Sequence, residues 1–107
     1  MSLRDTKGAI SAFETAHKLL GERFTFNLEL GMLYMADKRL NDAAASLDSV
    51  SRFHPAYPMA LFKRAQVSVL LKEADREQRV RQAWVHANNT TRPLIENERL
   101  FQGIQYR

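Results

Sequence analysis

The side chains able to do chemistry are few and scattered. The three histidines, His17, His54 and His86, fall far apart without a metal-ligand spacing, and there is no cysteine. Thiolate catalysis, disulfides and cysteine-based metal sites are therefore excluded, and a zinc site is not expected. Gly8, Gly21, Gly31 and Gly103 form neither a phosphate-cradling loop nor a nucleophile elbow. Asp37, Asp42 and Asp48 are isolated carboxylates that read as solvated helix ends, with no apolar pocket to raise a pKa. The run "KEADREQRVR" (72–81) alternates in charge and reads as a solvated helix face. Its Arg76, Arg79 and Arg81 lack the aromatic stacking platform that a nucleic-acid strand needs. "NNTT" holds overlapping glycosylation acceptors at Asn88 and Asn89, but without a secretory signal it reads as the polar end of a helix. The expectation is a chain without catalysis, metal or cofactor and without nucleic acid.

The elements must then be asked what else they position. The 107 residues suit one domain; 45% are hydrophobic and 26% charged, a globular balance. Net charge is +4, with the charges interspersed. No apolar run reaches the ~18–20 residues that cross a bilayer, and the first twenty residues carry Arg4, Asp5, Lys7, Glu14 and Lys18, which is no secretory core. A cytoplasmic protein that does not contact membrane is the expectation. Four glycines and three prolines leave little hairpin chemistry, while abundant Ala, Leu, Glu, Arg and Lys favour helix.

One stretch resists a simple amphipathic reading. "NLELGMLY" (27–34) sets Gly31 among Leu28, Leu30, Met32, Leu33 and Tyr34, apolar nearly all round a 3.6-residue spiral. A repeat accounts for it. At one constant offset, Ala9 matches Ala43, Phe13 matches Leu47, Ala16 matches Val50 and Gly21 matches Pro55. The same offset carries Leu28 to Phe62, Gly31 to Ala65 and Leu33 to Val67. Paired helices at this period stack, and a first helix sandwiched between two neighbours is apolar on more than one face.

"NLELGMLYMADKRLNDAAASLDSVSRFHP" resembles one whole tetratricopeptide repeat, about a third of the chain. Leu30-Gly31 and Tyr34 match the first-helix signature, Ala43, Leu47 and Val50 the small, large and small positions of the second helix, and Pro55 closes the unit; Asn27 departs from the tryptophan-like position. The offset also equals the length of such a repeat. The resemblance implies an all-α, right-handed antiparallel helix-pair solenoid of about two repeats plus a terminal half-repeat or capping helix. In one domain, 1–107, residues 5–21 are a lone second helix, 24–57 a full repeat, 58–92 a second repeat and 93–107 the cap. Asp5 is expected to cap a helix from Thr6 to about Leu20. Thr25 to about Asp37 is a first helix, and Asn41 caps a second running to about Arg52. Pro58 starts the next first helix, "MALFKRAQVSVLLKEA". In the following helix, strict register would put Glu77, Arg81 and Trp84 at the small, large and small positions. Three extra residues put Val80, Trp84 and Ala87 there instead, which is better chemistry. Thr91-Arg92-Pro93 begins a last helix with Leu94, Leu100, Phe101 and Ile104 as its apolar side. Gly31 is expected at a close helix contact with Leu47 and Tyr34 nearby.

By the same resemblance, the first helices line a concave surface. Its positions here are Thr25, Leu28, Glu29, Met32, Met35 and Ala36, then Met59, Phe62, Lys63, Gln66, Val69 and Leu70. Leu28, Met32, Met35, Met59, Phe62, Gln66 and Val69 are the candidate partner-binding residues. Family members that grip a C-terminal carboxylate use lysines and asparagines at such sites; Leu28 and Met32 stand in two of those places, so that clamp is not expected. Such a surface suits an amphipathic helix or hydrophobic peptide, the chain's own "LIENERLFQGIQYR" (94–107), or a second copy in a homodimer; alternatively these residues are core. Because Leu28, Met32, Met35, Phe62 and Val69 are too apolar to face water together, they are expected to be covered. The function implied is protein–protein or peptide binding, as a scaffold. A second possibility rests on "TTRPLIENERLF" (90–101), which resembles the tails of bacterial sulfatase-like chains that carry such repeats: a C-terminal regulatory or assembly module of a larger enzyme, with catalysis elsewhere.

Overall fold

The regular elements of the described residues are all helical. A computed structural model describes residues 3–20 and 27–107, with the side chains of residues 3–5, 17 and 20 left undescribed. Among the described residues there is no strand. The elements are α1 (Leu3–Leu20), α2 (Asn27–Ala36), α3 (Leu40–Asp48), α4 (Tyr57–Leu70), α5 (Arg76–Val85), α6 (Thr91–Glu96) and a 3-10 turn, Arg99–Phe101. From α1 to α5 each helix packs chiefly on its neighbour in the chain. Among the described residues no helix is long and apolar enough to cross a membrane.

Gly31 sits where α2 meets α3. A β-carbon built on it would lie 2.6 Å from both Cγ and Cδ2 of Leu47 and 3.6 Å from the Ala43 carbonyl oxygen. Only a hydrogen fits there, which is why a poor helix former occupies a helix centre. Tyr34 lies buried in the same core with Ile10, Leu30, Ala43, Leu47 and Val67. Ala65, which the constant sequence offset pairs with Gly31, is fully buried on α4. It belongs to a second core with Phe62, Val80, Ala83, Ile95 and Phe101.

The turns that end α2 and α4 are built alike. Lys38 and Lys72 are the two non-glycine residues with positive φ among the described residues, 61° and 57°. Around the first, the Lys38 N–H donates to the Met35 carbonyl and the Arg39 N–H to the Tyr34 carbonyl. Around the second, Lys72 donates to Val69 and Glu73 to Ser68. Each is the paired closure of a Schellman turn, which satisfies helix-end carbonyls through one left-handed residue. The four donors and acceptors of one turn map onto those of the other by the offset that relates Gly31 to Ala65.

Several expected boundaries move. α1 is already running at Leu3, so position 5 lies inside the helix and not at its start. Thr25 and Gly21 lie outside the described residues. Asn41 does not cap α3: the left-handed Lys38 turns the chain so sharply that α3 starts at Leu40, and Arg39 occupies the cap position while its Nε donates to Asp42. α3 also ends at Asp48 rather than near Arg52. There Ser49 Oγ donates to the Ala45 carbonyl and Ser51 Oγ accepts from the Phe53 N–H, local bonds that compete with helix continuation. α4 ends at Leu70 instead of reaching Ala74, because Lys72 closes it.

In α5, burial follows the slipped register. Val80 is fully buried, and Trp84 and Ala87 pack against the second core. Glu77 and Arg81 stay exposed, with Arg81 Nη2 donating to Glu77 Oε1 at 3.0 Å. Two of the three extra residues fall in the turn: α3 begins two positions after Lys38, α5 four after Lys72. The last expected helix is instead two pieces. α6 stops at Glu96, where Asn97 Nδ2 donates to the Pro93 carbonyl, and the chain re-enters as a 3-10 turn capped by Glu98. Ile95 rather than Leu94 turns inward, and Leu94 is exposed.

Candidate interaction surface

The seven candidate residues divide by helix. On α4, Phe62 is buried under the C-terminal segment, its ring meeting that of Phe101 edge-on at 6.0 Å and 88°. Met59 and Val69 pack against the same core, joined by Leu100, Ile104 and Tyr106. Gln66 donates its side-chain amide to the Glu98 carboxylate, and its carbonyl oxygen is buried without a partner. The α4 side of the candidate surface is therefore filled by the chain's own residues 98–106. On α2, Leu28 and Met35 are half-buried against the first core. Met32 is different: it is 44% exposed, contrary to the expectation that it would be covered with the rest.

The C-terminal segment is held by more than Phe101. Arg81 Nε donates to the Gln105 carbonyl at 2.9 Å. Trp84 and Tyr106 lie 5.3 Å apart, and the guanidinium groups of Arg92 and Arg107 lie over the Trp84 ring at 5.4 and 5.1 Å. Cations held against an indole face gain from its quadrupole, so these contacts fasten α6 and the last three residues of the chain to α5.

An ion cluster that the sequence reading missed lies behind this surface. Arg64 on α4 has a side chain only 5% exposed. Its Nε donates to Asp48 on α3 at 3.0 Å, and Nη1 and Nη2 donate to the two Glu73 oxygens at 2.7 and 3.3 Å. Arg79 on α5 donates to the same Asp48 oxygen at 3.3 Å and to Asp75 at 3.1 Å. Asp48 is thus not an isolated helix end, and "KEADREQRVR" is not only a solvated face. Burial works against the charge of Arg64, but the bonds and charges of Glu73 and Asp48 outweigh it and raise its pKa. The Arg64 bonds hold the Glu73 carboxyl below its ordinary value despite partial burial. Arg64 stands at the constant sequence offset from the buried Leu30, and an arginine in that place is the one signal the sequence offers. The extra residues of the turn supply Asp75 to this cluster.

The histidines have structural partners. His54 Nδ1 accepts the Ala56 N–H at 2.9 Å, and His86 packs edge-on to Tyr57 at 5.5 Å; the His17 side chain lies outside the described residues. Among the described residues, no three His, Asp or Glu side chains are grouped to hold a metal ion. An open cleft of about 640 Å³ between α1 and the α2–α3 turn mixes Lys7 and Arg39 with Glu14 and Asp37. Beside it Tyr34 has its pKa raised, first by burial and then by Glu14. No protein family, curated protein or solved structure matches this chain.

Proposed function

We propose that the chain is a helix-pair repeat module of the tetratricopeptide type, a non-catalytic scaffold that binds a protein or peptide. The observation that carries this reading is the pair of lysine-centred turns, one repeat apart and hydrogen-bonded alike, with Gly31 and Ala65 at matching buried positions. Modules stacked in this way present one face of successive helices as an extended surface. Here the α4 part of that face is occupied by residues 98–106, so the part left for a partner centres on Met32, flanked by the half-buried Leu28 and Met35 and the exposed Glu29 and Ala36. A partially exposed methionine adapts to varied apolar side chains, and an amphipathic or hydrophobic segment fits it.

A photo-crosslinking amino acid at Met32 tests this, with Gln78, an exposed α5 residue, as the reference site. The expected result in cell extract is a discrete protein adduct from position 32 that position 78 does not give. Matching adduct patterns from both positions would remove α2 as the binding face.

A further inference from the structure

The last residues are seated on the molecule in the manner of a bound peptide. α6 belongs to the second core through Ile95. Past it the backbone makes one 3-10 turn and then no regular structure as far as Arg107. Between 97 and 107 the one buried side chain is Phe101. Glu98, Leu100, Ile104 and Tyr106 are half-buried, and the residues among them are exposed. One buried anchor flanked by half-covered contacts is how a docked segment divides its surface. The backbone adds little to the hold. Among the described residues, the main chain of 102–107 has one hydrogen bond to another element, accepted by the Gln105 carbonyl from Arg81 Nε. Gly103 bends the chain at a φ of 83°, with nothing within 4 Å of where a β-carbon would stand. The fit is also incomplete. Gln66 gives its amide to Glu98, but its carbonyl oxygen is buried without a donor, which destabilises the closed arrangement.

We propose that this seat on α4 and α5 is a peptide site, and that residues 98–107 are a resident occupant displaced by a partner segment carrying a carboxylate three residues ahead of an aromatic anchor. This rests on the peptide-binding reading of the module and adds its regulation. The resident shows what the seat accepts. The Gln66 amide takes the Glu98 carboxylate, the Phe62 ring meets the Phe101 anchor edge-on, and Arg81 takes a main-chain carbonyl four residues further on. Trp84 then meets a second aromatic ring, that of Tyr106. A separate segment with the same spacing presents the same groups. Tethering gives the resident a roughly millimolar effective concentration. The α4 half of the face therefore opens only to a segment that outcompetes the resident, while Met32 stays exposed throughout.

The test uses the full chain and its single tryptophan, Trp84, which lies in the seat. The probe is a synthetic peptide of residues 97–107, NERLFQGIQYR, titrated while Trp84 emission is followed. Phe101→Ala frees the seat of its anchor and should bind the peptide with a change in emission. The native chain should bind it at least about tenfold more weakly, because its own segment competes. A peptide with alanine in place of the phenylalanine should lose at least about tenfold in affinity for Phe101→Ala. Should that variant fail to fold, Arg81→Gln with Tyr106→Ala loosens the segment and leaves Phe101 in place, and it should bind the peptide more tightly than the native chain does. Equal affinity of native and loosened chains, or equal binding of the peptide without its phenylalanine, would overturn the proposal. A native dimer that the peptide turns into monomers would overturn it in favour of copies exchanging these segments. Crosslinking from Met32 is independent of all these outcomes, so the site can fail while the binding face on α2 stands.

Discussion

Two glycine-to-alanine substitutions with opposite expected signs measure the α2–α3 contact. Gly8 is exposed within α1, and a β-carbon there meets nothing within 4 Å. Gly8→Ala should therefore stabilise by most of the propensity difference, about 0.5–1 kcal/mol. Gly31→Ala gains the same propensity but drives the new methyl to 2.6 Å from Leu47 Cγ and Cδ2. Cγ is the branch point of a buried leucine and cannot swing aside as a side-chain tip could. Relieving the overlap means moving α3 or forcing Leu47 off its rotamer, about 1–3 kcal/mol. The net for Gly31→Ala is a loss of about 0–2 kcal/mol, so the gap between the variants is about 1–3 kcal/mol. At roughly 4 °C per kcal/mol for a domain of this size, the gap is resolved by thermal melts followed by helix circular dichroism. Adding Leu47→Ala removes the obstructing atoms, and in that background Gly31→Ala should turn stabilising, a coupling of about 1 kcal/mol or more. If Gly31→Ala stabilises the native chain as much as Gly8→Ala, the helices are not in close contact at Gly31 and the packing argument fails.

Arg64→Met should cost no more than about 1 kcal/mol, because Asp48 and Glu73 retain access to water once the guanidinium is gone. Asp48→Asn with Glu73→Gln should cost about 2–3 kcal/mol, because it strands the buried cation; urea melts that rank the pair the other way would refute this. Glu73 has a folded pKa below its unfolded one, so its contribution is fully present above the ordinary carboxylate range near pH 4.3 and fades as pH falls through the folded value. Urea melts from about pH 5 downward should lose stability less steeply in Arg64→Met than in the native chain, and parallel curves would contradict the Arg64–Glu73 linkage. Phe101→Ala should cost about 3 kcal/mol and cut amide exchange protection along Phe62–Val69; unchanged protection there would mean that the C-terminal segment does not cover α4.

What is legible in the sequence follows from spacing. The constant offset and the apolar surround of Gly31 lead to its contact with Leu47 and to the slipped burial of Val80. The apolar C-terminal residues point to their covering of Phe62. Charge pairing between distant residues leaves no periodic trace, so the Arg64 cluster stays hidden and Asp48 reads as a bare helix end. Helix ends are misjudged where a side chain has more than one use: Asn41 could cap α3, but Lys38 in the left-handed region has already fixed where α3 begins. Met32 reads with its apolar neighbours although, unlike Phe62, it is left partly exposed.

α4 takes part in both cores, with Val67 in the first and Phe62 and Ala65 in the second. Residues of α3 and α5 otherwise meet across it mainly through the Arg64–Asp48–Arg79 ions. Cooperativity is therefore not shared evenly along the chain. Melting α1 strips Ile10 and Phe13 from one core and leaves the other whole, whereas melting α4 takes Val67 from the first and Phe62 and Ala65 from the second at once. Such a molecule should fray inward from its ends, with α4 the last helix to exchange its amides, and a substitution at one end reaches the other only in proportion to how far it disturbs α4.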